Sequence, residues 1–418
     1  MNQNLARLAA LSSLVLPLVG CPGESRPCVP EAGTICTIAG TGRAGIDGDG
    51  DLGWSARLYL PMDSTAGPDG RLYVMDWNNH RIRAMFLDDT YEGVIETFAG
   101  TGVLGDGPEG PMLSASFNHP TNIAFGPDGN IYIAAWHNSR IRRCNMTNGN
   151  MESVAGTGAR AYIGDGGPAL MAALDLPAGI AFDPDGNLVI VDQANQVIRR
   201  IDMAAGTIDR IGGTCVTTAP CADGDSPVAC PGNNKSACLG MDPGGCSLPC
   251  GPAFGGDDGP ALEARFAMPF GQSADPSGRI AIDADGLIYI ADSRNHRVRA
   301  IHTDGTIVTI AGSGSRTGDP GEGVPATEAS LDNPVDVALG PDGSLYIADT
   351  MNSCVRRIDA AGIIHTAAGV CGTRGFEGDG GSPTEALLDR PYGIDVTSAG
   401  LLYIADTHNH RIRLVVPE

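Results

Sequence analysis

The stretch L-L-Y-I-A-D-T-H-N-H-R-I-R at 401–413 decides the fold, because it recurs. L-Y-V-M-D-W-N-N-H-R-I-R stands at 72–83 and I-Y-I-A-D-S-R-N-H-R-V-R at 288–299, with degenerate copies at 131–142, 188–199 and 345–356. The aspartate position falls at Asp76, Ala135, Asp192, Asp292, Asp349 and Asp406, in steps of 59, 57, 100, 57 and 57 residues. Six copies at a near-constant period specify a repeat architecture.

Each unit holds four strand-like segments. In the third they are P-A-G-I-A-F-D, N-L-V-I-V-D, V-I-R-R-I-D and T-I-D-R-I-G-G, separated by a P-D-G turn, a D-x-x-N turn and a Gly-containing turn. The turn residues supply the preset or positive φ that a chain reversal needs. The second segment is apolar almost throughout, as a strand buried on both faces must be. The long step carries an insertion before Pro269 and a shorter one after it. There D-P-S-G at 275–278 and D-A-D-G at 283–286 both fit the turn, which leaves two placements for strand one.

The last unit ends in R-I-R-L-V-V-P-E without a fourth strand, and T-I-C-T-I-A-G at 34–40 precedes the first unit. That segment matches the fourth strands I-E-T-F-A-G-T-G at 95–102 and I-V-T-I-A-G-S-G at 307–314. The expectation is an all-β, six-bladed β-propeller of four-stranded blades over 34–418, with the N-terminal strand 34–40 completing the last, C-terminal blade.

A hydrophobic content of 42% is enough for a packed core. The formal net charge of −22 repels phosphate backbones and excludes nucleic acid as a partner. Residues 1–20, with Arg7 before a short apolar run, read as a signal peptide. L-V-G-C at 18–21 resembles the lipobox of bacterial lipoproteins, which implies lipidation of Cys21, a tether at 21–33 and a monomer on the bacterial cell envelope, periplasmic or cell-surface side, touching the membrane only through its lipid. Twelve cysteines in an exported chain imply disulfides. Cys354 begins strand three of blade five and Cys371 follows its strand four, so the two are expected to bridge. Cys28–Cys36 is the second expected pair and Cys144 the odd thiol. Cys215, Cys221, Cys230, Cys238, Cys246 and Cys250 fall in a Cys-rich insert at 214–253, bridged in a pattern the sequence leaves open.

N-H-R-I-R at 79–83 and 409–413, N-H-R-V-R at 295–299, and A-G-T-G before Gly/Asp-rich loops resemble NHL repeats of the bacterial exported type, similar to those of the teneurin propeller. That family spans ubiquitin ligases, RNA binders, lyases and adhesion proteins, so the resemblance implies a fold more than an activity. Departures are Ala135 for the aspartate, Val197 and Cys354 for the first arginine, and the Cys-rich insert.

The repeated Asp, Asn and Arg are expected to build turns, since one active site does not need six copies. Positions where the copies differ are the candidates. The residue after the aspartate is Trp77, Trp136, Gln193, Ser293, Thr350 or Thr407, and the two tryptophans are expected to form an exposed aromatic pair for ligand contact. The second residue after each strand-one proline is Asp63, Asn122, Gly179, Gly271, Asp336 or Gly393, expected at the channel mouth. Asp63 and Asp336 with Asn122 could bind ligand or a Ca²⁺-like ion, since hard cations take oxygen ligands. The Gly/Asp loops, of which D-G-D-G-D at 47–51 is the most EF-hand-like, lack the closing chelator. A-L-M-A-A-L-D-L-P and A-L-E-A-R-F-A-M-P are expected to form helical turns whose apolar faces cap the core. No nucleophile has a base that can be placed beside it. The reading is a non-catalytic, membrane-anchored interaction module with a protein or small-molecule partner on its loop-rich face. The alternative is a metal-dependent hydrolase or lyase at the channel mouth.

Overall fold

The computed structural model describes residues 28–214, 252–271, 273–317 and 320–418. The signal segment, Cys21 and the six cysteines of the insert lie outside the described residues. Six antiparallel sheets form the six blades of a β-propeller. In the first, Pro61–Ala66, Arg71–Asp76, Arg81–Phe86 and Ile95–Ala99 pair in order. In the last, the strand Ile35–Ala39 pairs with Arg411–Val415, so the two ends of the chain share one sheet and close the ring.

Four blades gain a short fifth strand at the rim. Gly110–Pro111, Gly167–Pro168, Gly259–Pro260 and Val324–Pro325 pair with the fourth strands of blades two to five. The expected helical turns shrink to 3₁₀ turns of three residues, such as Ala169–Met171 and Ala261–Glu263. They do not cap the core with their large side chains: Leu170, Met171 and Leu262 are exposed, and only the alanines point inward. A three-residue turn has too little width to bury more than one face.

The core is six apolar clusters, each between neighbouring blades. The A-G that ends each fourth strand is explained locally. Gly40 and Gly312 hold φ near +90° over a bulge, and a Cβ there would meet the carbonyl oxygen of the N-H-R histidine at 2.2 Å; in the equivalents Gly100, Gly156, Gly213 and Gly369 it would meet the same carbonyl position at 2.4–2.8 Å.

Cys28–Cys36 and Cys354–Cys371 are bridged, and Cys144 is free and buried. The 17-residue span closed by Cys354–Cys371 constrains the unfolded chain. Cys354→Ala/Cys371→Ala is expected to cost about 3 kcal/mol. Urea unfolding without reductant measures this, and a variant curve on top of wild type would remove the bridge from the stability account.

Candidate functional site

The repeated residues are blade construction. Asp76 Oδ1 accepts the Tyr59 N–H at 2.8 Å and its Oδ2 accepts from Asn79 at 2.7 Å. Asp192, Asp292, Asp349 and Asp406 accept the equivalent backbone N–H groups at 2.7–2.8 Å. Blade two has Ala135 instead, and there Asn138 Oδ1 takes the Asn118 N–H at 2.8 Å. The strand-three arginines reach the preceding inter-blade loop: Arg83 pairs with Asp49 at 2.7 Å, Arg199 with Asp165 at 2.6 Å, Arg299 with Asp257 at 2.6 Å and Arg413 with Asp379 at 2.8 Å. The Gly/Asp loops are therefore guanidinium sites.

The N-H-R histidine is a latch between blades. It sits at φ near +54°, and its Nδ1 accepts the N–H of the residue before the next blade's strand-one proline. His410 holds Leu60 at 3.1 Å, His80 holds His119 at 3.4 Å and His296 holds Asn333 at 3.1 Å. In two of the three copies that lack histidine, Gln196 Oε1 holds Met268 at 2.7 Å and Ser353 Oγ holds Arg390 at 3.3 Å; in the third, Ser139 Oγ makes no such bond among the described residues.

At the axis the structure corrects the expected set. The turn of blade four is 283–286 and its strand one is Ile280–Ile282, so the sixth axial residue is Arg279, seven before the turn glycine as in every other blade. Gly271 lies outside, in an excursion between Pro269 and Arg279. Arg279 Nη1 lies 3.0 Å from Asp336 and 3.2 Å from Asp63. Its Nη2 donates to the Met62 carbonyl at 2.7 Å and to the Thr121 carbonyl. Asn122 Nδ2 donates to Asp63 at 2.9 Å, and Asn122 Oδ1 accepts the Ile180 N–H at 2.8 Å. Gly179 and Gly393 make the space: a Cβ on the first would meet Arg279 Cα at 2.7 Å, and on the second Arg279 Nη1 at 2.6 Å.

The Ca²⁺ reading of Asp63 and Asp336 fails on this geometry, because a guanidinium already stands between their carboxylates. All four side chains of the network are buried. Burial pushes Asp336 up to about 6 against the pull of Arg279. Asp395, two residues beyond Gly393, is pushed up to about 7 by burial and by the nearby Asp63 and Asp336.

The mouth above Arg279 is covered. Trp136 is 1% exposed, so the expected exposed pair does not form: its indole packs on Leu176, Ala178 and Ala194. Trp136 Nε1 donates to Gln193 Oε1 at 3.2 Å, and Gln193 Nε2 in turn holds the Pro269 and Asp275 carbonyls. Trp77 is half-buried, 6.4 Å from Trp136 between ring centroids, and joins Met62, Val335 and Tyr392. The excursion after Pro269 contributes Phe270 and Ala274 to this cover. One cluster had no signal in the repeat. His119 lies tilted against Trp77, 4.4 Å between ring centroids, and its Nδ1 lies 3.0 Å from His137 Nδ1. Burial, helped by neighbouring positive groups, lowers His119 to about 3 and His137 to about 4. Only the positions before Pro120 and after Trp136 could have pointed to it.

The family model for the teneurin NHL domain matches residues 34–230, and that for the NHL repeat matches 278–301, 331–358 and 388–413. Human teneurin-1 is 26% identical over 86% of this chain and 12% of its own length. Mouse teneurin-4 is 25% identical over 94% of this chain and 14% of its own length. The chain thus spans roughly an eighth of the teneurins it matches. Among solved structures, a structural genomics protein of unknown function from Bacteroides thetaiotaomicron VPI-5482 superposes with a TM-score of 0.61 at 17% identity, covering 91% of this chain and 74% of that one. An auxiliary nutrient binding protein from Bacteroides ovatus ATCC 8483 superposes at 0.56 with 14% identity, covering 92% and 76%. Likeness at these identities carries the fold alone.

Proposed function

We propose, on the premise that this chain belongs to the NHL-repeat β-propellers, that it is a non-catalytic interaction module presenting the loops between its blades to a partner. The observation that carries this is the closed axis. Arg279 fills the place where converging strand-one side chains could act on a substrate, and an aromatic cover lies over it. The loops instead expose apolar side chains: Ile46, Val103, Leu104 and Ile163 are all more than two-fifths exposed. Exposed apolar side chains grouped on loops mark contact surfaces. The bridges Cys28–Cys36 and Cys354–Cys371 belong to an oxidising compartment. Lipidation at Cys21 would tether the propeller to the envelope, leaving its loops free to meet a protein or ligand.

The test is cross-linked capture from envelope extract with wild type and with Val103→Asp/Leu104→Asp. The variant is expected to lose at least tenfold in recovered partner while melting as wild type does. Equal recovery would take these loops out of the reading.

A further inference from the structure

Three residues before the repeat-aspartate position, strand two carries Tyr73, Tyr132, Tyr289, Tyr346 and Tyr403 in five blades and Val189 in the third. The tyrosine spans to the next blade's strand one. Tyr73 meets Phe125 edge-on at 5.4 Å and Tyr132 meets Phe182 at 4.8 Å. Tyr289 shares a cluster with Leu339, Tyr346 with Val396 and Tyr403 with Ala66. In blades one and two its hydroxyl donates to the turn aspartate, to Asp69 at 2.8 Å and to Asp128 at 2.9 Å. The glycine before the turn proline makes room, since a Cβ on Gly67 or Gly126 would meet the tyrosine ring at 2.7 or 2.6 Å.

Blade three is the one that lacks the ring: Val189 stands in its place. Asp183 stands where Gly67 and Gly126 stand, as Asp283 does beside Tyr289 in blade four. Asp183 takes over the turn, accepting the Asn187 N–H at 2.8 Å. Asp185, the counterpart of Asp69 and Asp128, receives no hydrogen bond from the described residues and faces a cavity of about 660 Å³ between blades three and four. Ile211, Ile288 and Ile301 supply apolar wall. Arg200 enters the same space, 49% exposed, with its nearest carboxylate, Asp183, 3.9 Å away.

We propose that this cavity binds a hydroxylated aromatic ring, of the phenol class, as an intermolecular substitute for the tyrosine that the other blades carry. Asp185 accepts the ring hydroxyl, Arg200 lies against the π face and the isoleucines bury the edge. The site is on the face of the P-D-G turns, opposite the loops assigned to a partner, and does not depend on that assignment.

The probes are N-acetyl-L-tyrosinamide and N-acetyl-L-phenylalaninamide, titrated into the full chain by calorimetry and NMR. The tyrosine amide is expected to saturate one site and the phenylalanine amide to bind about tenfold more weakly, since the carboxylate then loses its donor. Asp185→Asn is expected to bring the two probes within about twofold of each other. Asp183→Gly/Val189→Tyr copies blades one and two, and is expected to abolish binding while melting at or above the wild-type temperature. The proposal is overturned if neither probe saturates, if both bind wild type equally, or if the double variant still binds. Asp185 is exposed, so its variant decides the matter alone should the double variant not fold.

Discussion

Arg279→Ala is expected to lower the unfolding free energy by about 3–5 kcal/mol, the cost of leaving buried charges without their partner. Both carboxylates at the axis depend on this guanidinium, with contacts at 3.0 and 3.2 Å. The Met62 and Thr121 carbonyls lose their donor as well. The deficit has a pH sign. Without the guanidinium, the burial that already raises Asp336 loses its main opposition, so this carboxyl holds its proton in the folded state more tightly than in the unfolded chain. The folded variant therefore gains relative to the unfolded one as pH falls, and the deficit is largest near neutral pH and smaller near pH 5. Arg279→Met with Asp63→Asn and Asp336→Asn removes all three charges and should recover most of the loss, because a buried ion network stabilises little against a neutral replacement. Urea unfolding at pH 7 and pH 5 separates these outcomes. A single Arg279→Ala loss under about 1 kcal/mol at pH 7 would show that water reaches the axis and solvates the carboxylates.

The ring, its six units and its closing seam were legible because they rest on periodicity, which one chain displays to itself six times. Turn chemistry was legible for the same reason: Asp76 and Asn79 do in the structure what their residue types do in any tight turn. The axis was not. Counting from Pro269 led to Gly271, whereas an eight-residue excursion puts Arg279 in register, and no local pattern distinguishes the D-P-S-G turn from the D-A-D-G turn. Registering blade four on its turn glycine would have found the arginine, and with it the reason that Asp63 and Asp336 stay buried. The tryptophans illustrate a different limit. Trp136 was placed on the right face, but whether an indole lies open or under cover depends on Gln193 and on a segment 76 to 82 residues beyond that glutamine in sequence. The departure of one copy from the others, Val189 among five tyrosines, was present in the sequence and became readable only when the tyrosines were seen to reach across to the next blade.

Replacing the three latch histidines by glutamine, His80→Gln/His296→Gln/His410→Gln, is expected to leave stability near pH 7.5 within about 1 kcal/mol of wild type and to raise it relative to wild type near pH 5. Glutamine already performs the latch in blade three, where Gln196 Oε1 accepts the Met268 N–H. Each histidine accepts a backbone N–H through Nδ1, and an imidazolium has no lone pair there to accept it. Burial lowers His80, His296 and His410 below their ordinary value, with neighbouring arginines adding to the effect at His296 and His410. A folded-state value depressed below the unfolded one means stability that is present above about pH 6.5 and lost as pH falls below it. Three latches at roughly 1 kcal/mol each set the scale. Other groups titrate in this range and pull in both directions. His119 and His137 act with the latches, while the buried turn aspartates Asp76, Asp292, Asp349 and Asp406, pushed up to about 6 or 7 by burial, act against them. The aspartates are common to both proteins and cancel in the difference between the two stability curves, which reports the latches together with the share of His119 and His137 that His80 lowers. A difference that stays flat from pH 7.5 to 5 would show that the blades are held by packing alone and that the imidazoles carry no share of the seam.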